Sequence, residues 1–227
     1  MNSPEARTRA GRPGLGQPGR HPRGSEEFSR VVNFSDALFA IAMTLLVVGI
    51  EVPDLADSDS VGELADVLSD DLGSFISFVI SFAVIGRYWL AHHGFFARLA
   101  AVDGGLIGIN LVYLMFVAFL PFPTGLLGNF FENPLAIVVY ALAVSAVSGM
   151  EVVLFRHAQR RGLFQREMPD EVFRWGVRLS LSPLIGFVLS IPLAFVSTTL
   201  AVLVWFLPVP YQMFEDRRKP ADADEYL

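Results

Sequence analysis

Long apolar stretches separated by short polar segments dominate the chain. These stretches lie at about residues 30–52, 74–96, 105–127, 134–156, 179–196 and 198–214. A run of about 20 apolar residues is long enough to cross the hydrocarbon core of a bilayer as a helix. The pattern therefore predicts an all-α integral membrane protein with six transmembrane helices per subunit.

Prolines and polar residues separate the fifth predicted helix from the sixth. Taken as one helix, residues 179–214 would be roughly 54 Å long, against a hydrocarbon core of about 30 Å. Pro183, Pro192 and the polar run Ser197-Thr198-Thr199 interrupt the stretch. They favour two short helices joined by a tight turn.

Basic and acidic residues occupy alternate connections between the helices. Six Arg occur up to Arg30, six more lie between Arg156 and Arg178, and Arg217, Arg218 and Lys219 follow the sixth helix. The loop from residue 51 to residue 71 carries eight acidic residues and no basic one. Because Lys and Arg accumulate in cytoplasmic loops, both termini are predicted to be cytoplasmic.

The chain divides into three parts by composition. Residues 1–25 are rich in Arg, Gly and Pro and are predicted to form a disordered cytoplasmic tail. Residues 26–216 form the predicted six-helix transmembrane domain, and residues 217–227 form a short charged cytoplasmic tail.

Composition excludes several classes of protein. Of the 227 residues, 53% are hydrophobic and only 18% are charged, which is too few charges for a soluble globular enzyme of this size. The chain lacks the basic footprint of a nucleic-acid-binding protein, and its net charge of −6 adds little to that conclusion. The chain has no Cys, so thiolate catalysis and Cys-based metal sites are excluded. No cofactor is predicted.

An acidic residue inside the first predicted helix requires a partner. Asp36 lies about one and a half turns into the helix, where a charge is costly unless it faces protein or water. The second helix runs in the opposite direction, so Arg87, Trp89, His92 and His93 near its end lie at the depth of Asp36. We therefore predict a polar cluster in which Ser35 and Asp36 contact one of the two His, with Trp89 or Arg87 as a further partner.

A helical wheel separates this cluster from an apolar stripe. At 100° per residue, Ile41, Thr44, Leu45 and Val48 fall within an arc of about 100°, which Phe34 shares; Asp36 lies about 140° from Ile41. The stripe is therefore predicted to face a neighbouring helix or a symmetry axis. On these residues alone, ordinary helix packing is the favoured explanation of such a stripe.

Catalytic and metal-binding arrangements are not favoured. Ser35, His92 and Asp36 are the residue types of a hydrolase triad, but adjacent side chains on a helix diverge, so Ser35 and Asp36 do not converge on one His. For the same reason His92 and His93 make a poor metal site. The sequence predicts neither an enzyme nor a metal centre.

Three stretches resemble the transmembrane protein 175 family. The first is Arg30-x-x-x-Phe34-Ser35-Asp36, continued by Ala40-Ile41-x-x-Thr44-Leu45-Leu46 and closed by Pro53. The second is Ser81-Phe82-x-x-Ile85 with Trp89-x-x-His92-His93-x-x-Phe96. The third is Asn110-Leu111 followed by Leu120-Pro121-Phe122-Pro123-Thr124. The resemblance covers about residues 30–127.

This resemblance implies a potassium-permeable cation channel that differs in fold from ordinary potassium channels and lacks their Thr-Val-Gly-Tyr-Gly filter. It implies a prokaryotic, single-repeat homotetramer in the cell membrane, in which four first helices surround the pore. Ile41 would form the narrowest ring, Leu45 and Val48 further rings, and Thr44 would offer hydroxyls to a transient potassium ion. The structural positions would be Arg30, Phe34, Ser35, Asp36, Trp89, His92 and His93.

A small secondary transporter is the main alternative. Such proteins often bind substrate at discontinuous helices, and the fifth helix contains Pro183 and Pro192 among several Ser and Gly residues. Against this, residues 30–127 and 134–214 show no internal repeat.

Overall fold

The chain is mostly helical in a computed structural model that describes residues 19–220 and residue 223. In chain order the elements are β1 (Arg20–Pro22), α1 (Glu26–Val48), α2 (Val61–Asp70), α3 (Leu72–Ala97), β2 (Ala101–Asp103), α4 (Gly104–Phe119), α5 (Pro121–Asn129), α6 (Pro134–Arg161), α7 (Asp170–Ala194), α8 (Thr198–Val204) and α9 (Pro208–Asp216). Within the described residues, five stretches are long and apolar enough to cross a membrane: α1, α3, α4 with α5, α6, and α7.

The core of the subunit is built around α6, which packs against α4, α5, α7 and α8. In the most apolar part of α6, 50% of the residues are buried, the largest share among the five spans. The smallest share, 22%, belongs to α1, which packs against α3, α4 and α5 on one side of the subunit. The first helix is therefore the most peripheral span of the single chain.

The segment predicted as a sixth transmembrane helix, residues 198–214, is not a single helix. It forms α8 and α9, separated by a turn at residues 205–207. Pro208 and Pro210 have no backbone N–H to continue the helical pattern, and the carbonyls of Val204 and Phe206 accept hydrogen bonds from residues three positions on. At about 10 and 13 Å, neither short helix alone spans a core of about 30 Å.

The fifth predicted helix, residues 179–196, begins earlier and is continuous. Residues 170–178 contain four charged residues, and the sequence interpretation therefore placed them in a loop. In the structure they form the first part of α7, in which Val172, Trp175 and Val177 are buried. The helix also continues through Pro183, because the Ser182 hydroxyl donates to the Leu179 carbonyl that Pro183 leaves without its usual donor (2.9 Å). The discontinuous fifth helix of the transporter alternative is therefore absent.

Other predicted boundaries move by a few residues. Helix α1 begins at Glu26, where the Ser25 hydroxyl accepts from the Phe28 N–H (3.2 Å), and it ends before Gly49. Helix α6 continues to Arg161 and is ended by Gly162, whose φ of +59° is left-handed. The third predicted helix, residues 105–127, is α4 and α5 with a slight break before Pro121.

A small hydrogen-bonded layer closes one end of the helices. Strand β1 pairs antiparallel with β2, with Arg20 opposite Asp103. On the other side of residues 98–103, the Ala100 N–H donates to the Leu163 carbonyl (2.8 Å). The layer ties the start of α1 to the ends of α3 and α6. Such short pairings have no periodic signal in the sequence and were not predicted.

The layer also includes the last residues of the predicted N-terminal tail. Residues 19–25 are described and contain β1 and the N-cap of α1, whereas residues 1–18 of the predicted disordered tail lie outside the described residues. Of the predicted C-terminal tail, residues 217–220 and 223 are described.

Asp103 joins the layer to α4 and α6. Its carboxylate accepts from the Leu106 N–H (2.7 Å), from His157 Nε2 (2.9 Å) and from Arg161 Nε (3.1 Å). Burial opposes ionisation of this carboxyl, but the hydrogen bonds from Leu106, His157 and Arg161 outweigh it and lower the pKa of Asp103 below its usual value. Asp103 is therefore an ionised anchor between three elements.

Replacing Asp103 by Asn is expected to lower the free energy of unfolding by about 1.5 kcal/mol at pH 7, because the bonds from His157 and Arg161 lose their charged acceptor. A carboxyl whose pKa is lower in the folded than in the unfolded protein stabilises the folded state at pH values above its pKa in the unfolded chain, about 3.9. That contribution is lost as pH falls through the pKa of the folded protein. The deficit should therefore shrink below about pH 4. The deficit is measured by comparing the free energy of unfolding of the purified variant and parent at pH 7 and at pH 3.5.

Asp170→Asn, at an exposed position of α7, is the control. A deficit in Asp170→Asn equal to that in Asp103→Asn would contradict the prediction.

Candidate functional site

Helix α1 has two distinct faces. Its buried side chains recur every three, four or seven residues and form the face against α3, α4 and α5: Phe28, Ser35, Phe39, Ala42 and Leu46. The predicted stripe lies on the other side and is exposed in the single chain, with exposed fractions of 53% for Phe34, 57% for Ile41, 45% for Leu45 and 72% for Val48. The buried face fixes the helix and leaves the stripe without a partner in the subunit.

Thr44 is the only hydroxyl on this stripe, and it is also exposed. Its Oγ1 donates to the carbonyl of Ile41 (2.8 Å). The hydroxyl proton is therefore held by the helix, while the oxygen keeps lone pairs that can accept or coordinate. The stripe thus combines apolar side chains with one side-chain oxygen per chain.

A chain of three buried polar residues holds α1 against α3 and α4. His92 Nε2 lies 2.9 Å from Asn110 Oδ1, and Asn110 Nδ2 donates to Ser35 Oγ (3.0 Å). The Ser35 hydroxyl in turn donates to the Val31 carbonyl (2.8 Å). Ser35 and His92, which were predicted to be partners, are therefore joined through Asn110 rather than directly.

Asp36 is held by a different partner on α3. Trp89 Nε1 donates to Asp36 Oδ1 (3.0 Å). The exposed ring of His93 lies beside the Trp89 indole, with 5.5 Å between ring centroids. Asp36 and Ser35 thus attach to different residues of α3, which fixes the rotation of α1 about its axis.

His92 is also enclosed by aromatic rings. Its centroid lies 4.5 Å from that of Phe96, 5.4 Å from that of Phe39 and 5.4 Å from the stacked ring of Tyr113. These residues come from α1, α3 and α4. His92 is therefore a packed junction between three helices.

Two predicted members of the cluster lie elsewhere. Arg30 pairs with Glu26 one turn earlier (3.8 Å), and both side chains are exposed, an arrangement that contributes little to stability. Phe34 lies on the exposed stripe. The sequence interpretation had placed both with the structural residues because of their motif, which does not specify their neighbours.

Asn110 was missed as a site residue. It appeared in the sequence only as part of a motif, although a single amide within the 16 otherwise largely apolar residues of α4 is a usable signal. A buried amide in a membrane helix needs partners, and Asn110 is 1% exposed.

Comparisons with known proteins identify the family of the chain. A family model described as "Endosomal/lysosomal potassium channel TMEM175" matches residues 30–121, which include most of α1, the polar chain and α4. A potassium channel of Streptomyces collinus is 37% identical over 194 residues, which cover 83% of this chain and 92% of that protein. The chain belongs to the TMEM175 family. The resemblance inferred from the sequence motifs is confirmed.

Further members of the TMEM175 family share the sequence and the fold. A potassium channel of Chamaesiphon minutus is 37% identical over 196 residues, or 82% of this chain and 93% of that protein. The crystal structure of a lysosomal potassium-selective channel TMEM175 homologue from Chamaesiphon minutus superimposes with a TM-score of 0.71 at 30% identity, covering 84% of this chain and 99% of that one. These relatives support a channel built on the TMEM175 fold and do not favour the transporter.

Proposed function

We propose that four copies of this chain form a potassium-permeable cation channel, with α1 of each copy lining a central pore. One observation carries the proposal: the exposed stripe of α1, which contains Ile41, Thr44, Leu45 and Val48, faces away from the subunit to which α1 is anchored. Relatives named as potassium channels, at 37% identity, support the choice of ion.

In this proposal Ile41 forms the constriction. Four apolar side chains that approach an axis exclude water, and a pore that is too narrow and too apolar to hold water does not conduct. Thr44 lies one turn further along the same stripe, where its oxygen lone pairs replace part of the hydration shell of the ion. Potassium gives up hydration water more easily than sodium, so such a ring favours potassium.

The proposed location is the cell membrane of a prokaryote, with both termini in the cytoplasm. The end of the helices that carries Arg23, Arg98, Arg160 and Arg161 is then cytoplasmic, and the acidic segment between α1 and α3 is external. This orientation follows from the excess of Lys and Arg in cytoplasmic segments.

Ion flux into liposomes tests the proposal. We expect the purified protein to have a mass of about 100 kDa, four times the 25.0 kDa of one chain, and to carry rapid flux under a potassium gradient that exceeds the flux under a matched sodium gradient. Flux that saturates and requires a proton gradient or a second solute would favour the transporter alternative instead.

Thr44→Val tests the role assigned to the hydroxyl, because it removes the oxygen and keeps the shape. We expect the potassium-to-sodium flux ratio to fall about fivefold, which corresponds to about 1 kcal/mol, without loss of the tetramer. Thr199→Val, at an exposed position of α8, is the matched control. An unchanged ratio in Thr44→Val would remove Thr44 from the ion path.

A further inference from the structure

A half-open cavity of about 470 Å³ lies between α3, α4, α6 and α7 of the subunit. It is separate from the exposed stripe of α1, since no residue of α1 lines it. Its size is that of a site for a small organic molecule. Its walls combine aromatic rings with charged side chains, and each group carries part of the argument.

Three polar residues of the cavity lie at the same depth. Arg87 is ten residues before the end of α3, Tyr113 is nine residues after the start of α4, and Glu151 is ten residues before the end of α6. The small hydrogen-bonded layer joins these three helix ends, so all three residues lie about 15 Å from it. That is near the middle of a core of about 30 Å, where ionisable side chains usually mark function.

These three residues carry buried polar atoms without a hydrogen-bond partner among the described residues. Arg87 Nη1, the Tyr113 hydroxyl and Glu151 Oε2 are each shielded from solvent and have no hydrogen-bond partner within the described part of the chain. Tyr113 as a whole is 0% exposed. Buried donors and acceptors are costly when unpaired, so the trio indicates that the cavity binds a polar group.

The charge of the lining selects the sign of that group. Arg87, Arg98 and Lys219 line the cavity, against Glu151 as the one acidic residue among its lining residues. Arg87 and Tyr113 both offer N–H or O–H donors. An anion satisfies these donors and is attracted by the guanidinium groups of Arg87 and Arg98, whereas a cation would be repelled by them.

The remaining wall selects the body of the ligand. Phe95, Phe155 and Phe164 contact one another, with ring centroids 5.5 to 6.3 Å apart, and Trp175 also lines the cavity. A bare inorganic anion would leave these rings unused. An anion attached to an apolar group uses both the donors and the rings.

We propose that this cavity binds an organic carboxylate or phosphate, with its anionic group at Arg87 and Tyr113 and its apolar body against the Phe95–Phe155–Phe164 wall. Both a soluble metabolite and an anionic lipid headgroup have this chemistry. Glu151 opposes such a ligand and limits its affinity.

The cavity is connected to α1 through one residue. His92 lines the cavity, and on its other side it reaches Ser35 of α1 through Asn110. Tyr113, at the proposed anion site, stacks on the same His92 ring. A ligand that shifts Tyr113 or His92 thereby changes the anchoring of α1, so the site is regulatory; this second step, unlike binding itself, rests on the proposed pore.

Binding is tested with 4-nitrobenzoate, which quenches indole fluorescence, on the full protein in phosphatidylcholine nanodiscs. The uncharged 4-nitrobenzamide has the same shape and is the matched control ligand. We expect 4-nitrobenzoate to quench with a much lower dissociation constant than 4-nitrobenzamide, and Trp175→Phe to remove most of that signal. Equal quenching by both compounds would overturn the proposal.

Two substitutions with opposite effects make the test independent of folding. Arg87→Gln should weaken 4-nitrobenzoate binding about tenfold or more, because a charge-assisted hydrogen bond is lost. Glu151→Gln should tighten it, a gain that misfolding cannot produce. Arg160→Gln removes a positive charge from the exposed end of α6 and should leave binding unchanged. The site is contradicted if Glu151→Gln does not bind 4-nitrobenzoate more tightly than the parent. It is also contradicted if Arg160→Gln weakens binding as much as Arg87→Gln does.

Two further measurements identify the source of the ligand and the link to conduction. If the natural occupant is a lipid headgroup, phosphatidylglycerol added to the nanodiscs should weaken 4-nitrobenzoate binding to the parent but not to Arg87→Gln. If phosphatidylglycerol leaves binding to the parent unchanged, the occupant is a soluble anion. Saturating 4-nitrobenzoate should alter potassium flux in the parent and not in Arg87→Gln. Binding without any effect on flux would overturn the regulatory step alone.

Discussion

Ile41→Ala is expected to raise resting potassium flux by about tenfold, equivalent to a barrier lowered by about 1.4 kcal/mol. Ile41 lies on the exposed stripe of α1 with 57% of its surface open in the single chain. In the proposed tetramer four such side chains meet at the axis, and removing three carbons from each widens the constriction and admits water. Potassium-driven flux in liposomes measures the effect.

The control for Ile41→Ala is a second truncation on the same helix. Val47 is equally exposed, at 54%, but it lies about 120° from Ile41 around the helix. Val47→Ala should therefore leave resting flux close to that of the parent. A similar rise in both variants would mean that looser packing of α1, rather than an opened constriction, causes the leak.

Asn110→Leu is expected to lower the free energy of unfolding by about 3 kcal/mol. Leu is larger than Asn but has the same branched shape, and it neither donates to Ser35 nor accepts from His92. Both partners remain buried, at 0% and 3% exposure. Each buried group that loses its partner costs about 1–3 kcal/mol. Unfolding of the purified protein measures the loss.

A double-mutant cycle separates the polar chain from general damage to α4. Ser35→Ala should cost less on its own, and its effect in the Asn110→Leu background should be clearly smaller than in the parent, because the shared bond is already gone. Asn129→Leu makes the same replacement at an exposed position and should be nearly neutral. Additive losses for Ser35→Ala and Asn110→Leu would show that the two residues do not depend on each other.

Features that depend on a single helix were accessible from the sequence. The exposed stripe of α1 follows from the spacing of Ile41, Leu45 and Val48, because helical periodicity places them on one side whatever surrounds them. The contact between Asp36 and Trp89 was accessible for a related reason. In two antiparallel helices of known length, residues near the start of one lie beside residues near the end of the other. Asp36 needed a partner at its own depth in the membrane, and Trp89 lies at that depth.

Features that depend on the choice of partner between distant elements were not accessible. Asn110 joins His92 to Ser35 because α4 happens to lie between α1 and α3, which no periodicity within α4 specifies. The first turns of α7 carry charges typical of a loop, yet Trp175 is buried and its indole donates to the Glu215 carbonyl 40 residues away (3.2 Å). Strand β1 similarly depends on β2, about 80 residues further along the chain.

The pairing of β1 with β2 makes the two ends of α1 mechanically unequal. The backbone N–H of Arg23, three residues before Glu26, donates to the Ala100 carbonyl (2.7 Å). The start of the helix is therefore held in place and acts as a pivot. Beyond its other end, residues 51–55 have no regular structure. A rigid rod tilted by about 5° at that pivot moves Ile41 by about 2 Å and Val48 by about 3 Å. An outward tilt of the four rods would therefore open the proposed pore as a funnel, widest toward the acidic side and least at Phe34.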